Sequence, residues 1–219
     1  MLDILIEKYL SKYKIEWNDF LSKAKNSHFF FNRDYMDYHS DRFEDYSFIF
    51  RDEKSKIIAV FPANISLNAL YSHQGLTFGG LIVHEKITTT QVISIFRCLV
   101  DYCKKHGFNK ILYKRMPDFY CDLHMQDDLY ALFMNDFNLT RCDVNSTVSL
   151  QESYSYSKGR KWSINKAKKS NIYIEESVQF SDFWPVLQKA LMYHNAKPTH
   201  SEDEIKHLHS FFPNNIKLF

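Results

Sequence analysis

The sequence predicts an α/β fold: a mixed, mostly antiparallel sheet with one parallel βαβ crossover and helices on both faces. Three observations predict it. Residues 46–51 and 57–62 are apolar runs flanking the polar turn Asp52-Glu53-Lys54-Ser55, the pattern of an antiparallel hairpin. A helical stripe begins at Thr88 and is stopped by Gly107. A new apolar run starts at Lys110, so strand, helix and strand follow one another with short connections, which makes the two strands parallel.

Ahead of the hairpin, Trp17, Phe20, Leu21 and Ala24 recur at helical spacing, and a second helical segment runs from 32 to 39 with Asn32 as its cap. A third strand is expected through residues 77–83. The helix that follows has a capping box in Thr88 and Gln91, and Val92, Phe96, Leu99 and Cys103 form its buried stripe. Lys104, Lys105 and His106 complement the dipole of its last turn, and Gly107 suits a left-handed terminus. Strand 110–114 is expected beside strand 77–83. Pro117 ends it, a helix follows near 127–135, and the alternation of 141–150 predicts a returning antiparallel strand.

Beyond Leu150 the texture changes, which divides the chain into 1–152 and 153–219. Residues 153–159 are polar and turn-like, and 158–169 (KGRKWSINKAKK) hold six basic residues and no acid. A strand (172–176), a helix (182–193), a helix opened by Ser201 with Glu204 as its capping-box partner, and a strand start (215–219) follow. Helix, helix, strand repeats the order of residues 16–52, the pattern of an internal duplication.

The 219 residues, 45% apolar and 16% aromatic, suffice for one large packed domain or two small ones. A formal charge of +2 gives the whole chain no polyanion-binding balance, so such binding would rest on a local patch. Cys98, Cys103, Cys121 and Cys142 form no C-x-x-C pair and read as buried thiols of a reducing compartment. The N-terminus is neither a signal peptide nor a membrane span, and no other stretch is apolar enough to cross a bilayer; a cytoplasmic protein is expected. His207 and His209 diverge on their helix, no cysteine or H-E-x-x-H pattern joins them or His194 and His200, and no metal centre is expected. Nucleophile elbow, Walker loop and dinucleotide fingerprint are all absent.

The most informative stretch is 71–80 (YSHQGLTFGG), which holds three of the five glycines. Glycine this scarce is used for a positive φ or for close backbone approach. Together with Ser72, His73, Gln74 and Thr77 it reads either as a ligand wall or as a bulged strand whose glycines relieve crowding.

The predicted order of helix, helix, hairpin, strand, crossover helix, strand, helix and strand resembles the GCN5-related N-acetyltransferase (GNAT) fold. Trp17, the run 32–43 (NRDYMDYHSDRF), Pro62-Ala63-Asn64 and the glycine stretch make it more specifically similar to FemAB-like, tandem-domain acyltransferases, and the likeness continues through Arg160, Lys161, Ala167 and residues 198–201. The resemblance implies a GNAT-like domain over 1–152. Residues 153–219 then form a basic linker helix with an incomplete second GNAT-like unit or an accessory layer. It implies transfer of an acyl group from acetyl-CoA or another acyl-CoA, or from aminoacyl-tRNA in the FemAB branch, to an amine on a small or sugar-linked acceptor. Under it His73 is the base, Ser72, Gln74, Gly75, Thr77, Gly79, Gly80, Arg42, Tyr113 and Lys114 line the acceptor or acyl site, and Arg160 and Lys161 meet phosphates. Trp162 stacks on a base or anchors its helix.

One departure matters. GNAT enzymes hold the CoA pyrophosphate on backbone N–H groups of a glycine-rich turn entering the crossover helix. Here that turn reads His84-Glu85-Lys86-Ile87-Thr88, without glycine and with an opposing acid. Either this copy binds the donor differently or, the reading favoured here, donor binding belongs to a second domain and this one holds the acceptor. A non-catalytic binding module is the remaining reading; it expects no turnover and a homodimer formed through 180–219.

Overall fold

In the computed structural model, which describes residues 4–151 and 153–219, the chain divides into two compact units, Met1–Leu139 and Thr140–Phe219. The sequence reading set its division at 152/153. Residues 141–150, expected as a strand, form none and are exposed along their length.

In chain order the first unit holds β1 (Leu5–Lys8), α1 (Lys14–Leu21), α2 (Arg33–Met36), β2 (Glu44–Asp45), β3 (Phe48–Arg51), β4 (Ile57–Phe61), β5 (Asn64–Ser66), β6 (Ala69–Tyr71), β7 (Ile82–Val83), α3 (Thr89–Lys105), β8 (Lys110–Leu112) and α4 (Asp127–Met134). Its frame is the predicted hairpin. Asp52 closes the turn: its N–H donates to Lys56 O at 2.9 Å, and its Oδ1 accepts from Lys54 N and Lys56 N. Pro62 has no N–H to continue the ladder. The buried Ser47 hydroxyl takes over, accepting from Ala63 N at 3.1 Å and donating to Ala63 O at 3.3 Å. The hairpin thereby passes from one sheet, β1-β3-β4-β7, into another, β2-β5-β6-β8.

The first sheet is antiparallel throughout. In the second, β6 is antiparallel to β5 and parallel to β8, pairing Ala69 with Lys110 and Tyr71 with Leu112. The expected parallel pairing is kept in one bridge, Gly79 to Arg115, and its main ladder lies elsewhere. The parallel partner of the strand after the crossover helix is β6, while the expected strand 77–83 shrinks to β7 and pairs antiparallel with β4. The hairpin joining β5 to β6 turns on Leu67 (φ 48°) and Asn68 (φ 60°), a two-residue turn with both φ positive.

Side chains alternate across the strands. Phe48, Phe50, Ala59, Phe61 and Val83 join the α3 stripe of Val92, Ile95, Phe96, Leu99 and Cys103 in one cluster. Ile49, Val60 and Ile82, on the alternate positions, are buried too, as are Trp17, Phe20 and Leu21 of α1. Strands buried on both faces need cover on both, as the fold class requires. Thr88 and Gln91 form the expected capping box, and Gly107 takes φ +77° just past the helix.

The second unit holds α5 (Lys158–Lys169), α6 (Phe180–Met192) and α7 (Glu202–Phe211), the last opened by the expected Ser201–Glu204 capping box. Phe180, Trp184 and Leu208 are its buried residues. The strands expected at 172–176 and 215–219 reduce to a bridge between Ser177 and Leu218. No disulfide joins the four cysteines; Cys103 is buried, Cys98 and Cys121 are half-buried, and Cys142, expected inside, is exposed. Among the described residues no helix is long and apolar enough to cross a membrane.

Candidate functional site

The glycine stretch leaves the second sheet at Ser72 and returns at Gly79, and Lys114 ties the two points together. Ser72 N donates to Leu112 O at 2.9 Å, Lys114 N to Ser72 Oγ at 2.6 Å, and Gly79 N to Lys114 O at 2.8 Å. The Lys114 ammonium donates to Leu76 O at 2.6 Å, inside the excursion. Residues 73–78 are thus a loop with a closed neck.

The neck explains the glycines. A Cβ at Gly79 would lie 1.9 Å from Ser72 O, one at Gly80 (φ +102°) 2.7 Å from the Tyr113 hydroxyl, and one at Gly75 2.4 Å from the Phe43 ring. What occupies the space in each case is this chain itself. Of the two readings the sequence left open, the relief of crowding is what the geometry realises at these positions.

His73 opens the loop at φ +66°, a conformation uncommon outside glycine, and only 3% of it is exposed. Its Nδ1 is buried without a hydrogen-bond partner, and the Phe43 ring lies 5.5 Å from its own. Burial is the main cause that pushes its pKa down to about 4, with Asp45 opposing and Arg33 and Lys114 adding to the shift. Such a histidine is neutral at pH 7. Gln74 bonds to Asn64 in both directions, Asn64 Nδ2 donating to its Oε1 at 2.8 Å and its own N–H donating to Asn64 Oδ1 at 2.7 Å. Thr77 is exposed, and Arg42 stands 3.7 Å from Asp41.

Beyond the neck, the chain entering β7 and the chain leaving β8 share one parallel bridge, Gly79 to Arg115, and are not paired past it. In an open splay the inner edge of β7 would face a ligand; here other parts of the chain occupy it. Leu81 N donates to the Tyr113 hydroxyl at 3.0 Å, Val83 N to Asn26 Oδ1 at 2.9 Å, Asn26 Nδ2 to Leu81 O at 2.8 Å, and Lys25 N to Val83 O at 3.0 Å. Tyr113 in turn donates to Asp128 Oδ2 at 3.1 Å, which also accepts from Arg115 Nε at 2.9 Å. Burial and the Asp128 charge hold the Tyr113 pKa well above its ordinary value. Among these groups lies a cavity of about 10 Å³, the size of one water molecule.

The entrance to α3 is closed in the same way. N–H groups of residues 85–88 donate to Lys23 O, His84 Nδ1, His84 O and Gln91 Oε1. Asp127, paired with Lys25 at 3.1 Å, accepts from the Thr89 hydroxyl and so brings a carboxylate to the first turn of the helix. A negative group already complements that end of the dipole. The residues of the first unit therefore do not fit a CoA pyrophosphate at this turn.

The structure thus brings Ser72, Gly79 and Lys114 together at the neck, Gly80 against Tyr113, and Gly75 and His73 against Phe43. Arg160 and Lys161 are exposed on α5, in the other unit. Asn26 and Asp128 in the splay and Asp127 at the α3 entrance carry no local sequence signal: the partners they hold there lie 13 or more positions away along the chain.

No family model matches the sequence, and no curated protein does. Among the solved structures similar to the chain are two N-acetyltransferases. YhbS from Escherichia coli, a GNAT family N-acetyltransferase in complex with CoA, aligns at 15% identity and a TM-score of 0.37 over 49% of this chain and 60% of its own length. Glucosamine-6-phosphate N-acetyltransferase from Arabidopsis thaliana aligns at 14% identity and a TM-score of 0.36 over 68% of this chain and 99% of its own. Likeness at this level assigns neither family nor activity.

Proposed function

We propose that the chain serves GNAT-type transfer of an acyl group to an amine, and that its first unit is the acceptor side, without the donor cradle. The observation that carries this reading is the single bridge from Gly79 to Arg115, between the segments that flank the crossover helix, with Asn26 and Lys25 on the edge of β7 beyond it and Asp127 at the start of α3, where a donor would lie. The donor, acetyl-CoA or another acyl-CoA, is then bound outside residues 4–139. The acceptor, a small or sugar-linked amine, meets the rim where Phe43 packs on Gly75, with the exposed Gln74 and Thr77 in the same loop and Arg42 next to Phe43 in the chain.

In this reading His73 supports the loop: a buried neutral imidazole at a strained φ positions its neighbours. The FemAB-like variant, with aminoacyl-tRNA as donor, is favoured by the same closed cradle, since its donor needs no pyrophosphate turn. A non-catalytic module that dimerises through the second unit would bind neither donor nor amine.

The test is nuclear magnetic resonance titration of the 219-residue chain with amino sugars and their phosphates. Saturable shifts are expected at Gln74 and Thr77. Shifts absent at that rim across the panel, with acetyl-CoA instead perturbing residues 79–92, would overturn the assignment of sides.

A further inference from the structure

The strongest feature outside the first unit is the charge of α5. Lys158, Arg160, Lys161, Lys166, Lys168 and Lys169 are all exposed, and none makes a salt bridge among the described residues. The helix has no acid in its first turn, where Lys158, Arg160 and Lys161 oppose the dipole; Lys166, Lys168 and Lys169 of the last turn complement it, so helix stability accounts for only half of the charge. Ile164 and Ala167 are the half-buried positions, and Arg160 shares their stripe.

The opposite face is different in kind. Lys158, Trp162, Lys166 and Lys169 follow at spacings of four, four and three residues and form one stripe, with Lys161 and Lys168 alongside. Trp162 is 64% exposed, whereas Trp17 and Trp184 are buried, so it does not anchor its helix. The Lys166 ammonium lies 5.2 Å from the centre of its ring.

We infer that this face binds a single-stranded polynucleotide, with the lysines meeting successive phosphates and a base stacking on Trp162. Charge complementarity demands a polyanion, and one exposed indole within a row of cations is the arrangement that reads a base between phosphates. A membrane-surface helix would instead present a broad apolar face; here the outward face holds Trp162 alone among lysines, and the aliphatic Ile164 and Ala167 are the half-buried positions. The inference stands on the second unit alone and does not depend on the acyl-transfer reading.

The test is fluorescence anisotropy of a labelled oligouridylate with the whole chain, across a salt series. Engagement of five lysines gives a slope of about −3.5 in log K against log salt. Trp162→Ala is expected to weaken binding about tenfold at unchanged slope, Trp162→Phe to retain most of it, and Lys161→Glu with Lys168→Glu to flatten the slope. All three positions are exposed, and circular dichroism checks the fold. Equal affinity for the Trp162→Ala chain, or inorganic polyphosphate binding as tightly as the oligonucleotide, would overturn the stacking claim. Binding to phosphatidylglycerol vesicles with a blue-shifted indole, and none to the oligonucleotide, would overturn the polynucleotide itself.

Discussion

Gly79→Ala tests the closed neck with one methyl group. Its Cβ would sit 1.9 Å from the backbone oxygen of Ser72, with the Ser72 carbonyl carbon at 2.9 Å, so no side-chain rotation relieves the clash. Overpacking of a tight interior costs about 1–3 kcal/mol. Relief requires one side of the neck to move, which endangers the bonds from Gly79 N to Lys114 O and from Lys114 N to Ser72 Oγ, each worth about 1 kcal/mol net. The expected loss is therefore about 3–5 kcal/mol, a large fraction of the stability of an ordinary domain. At about 2–4 °C per kcal/mol for a chain of this size, Tm falls by roughly 6–20 °C. Gly159→Ala is the control: nothing lies within 4 Å of the added atom in α5, and alanine favours a helix, so stability is unchanged or rises slightly. Thermal and urea unfolding of the three proteins decide the matter. A Gly79→Ala chain melting within 2 °C (roughly 1 kcal/mol or less) of the parent would refute the closed neck and return the glycines to the role of a ligand wall.

His73 makes stability depend on pH. Its folded pKa of about 4 lies below the ordinary 6.5, so the unfolded chain binds the extra proton, and the contribution of the neutral ring is lost as pH falls from 6.5 toward 4. The shift corresponds to about 3 kcal/mol. His73→Asn keeps a residue tolerant of positive φ, and urea midpoints should show it losing less stability than the parent between pH 7 and pH 4; identical losses would remove His73 as the cause. Asp128→Ala leaves the Tyr113 hydroxyl and Arg115 Nε without their shared acceptor and should cost about 3 kcal/mol, with Asp128→Asn restoring part of it. A melt unchanged by Asp128→Ala would mean the splay is not held shut by this carboxylate. Asp127→Asn removes the charge at the start of α3 and should cost about 1 kcal/mol in urea unfolding; a gain in stability would contradict its capping role.

What the sequence made legible was local. Thr88 with Gln91 and Ser201 with Glu204 announce helix starts through groups three residues apart, and both capping boxes form. Strands need partners, and these are distant. Residues 141–150 alternate well but form no strand, and β6 carries no local signal because Leu67-Asn68 lacks the glycine that usually marks a turn with two positive φ values. Scarce glycine marks residues 75–80 for close approach, yet whether a ligand or the chain itself approaches is not written in local residues. The plug of the splay is long-range as well: Asn26 reaches Leu81 and Val83, and Lys25 reaches Asp127.

The most direct measurement of the central claim is hydrogen exchange of the 219-residue chain with and without saturating acetyl-CoA. If the splay and the α3 entrance are occupied by the chain itself, the amides of residues 79–92 exchange at the same rates in both. Protection of those amides on addition of acetyl-CoA would contradict the account and place the donor site in the first unit.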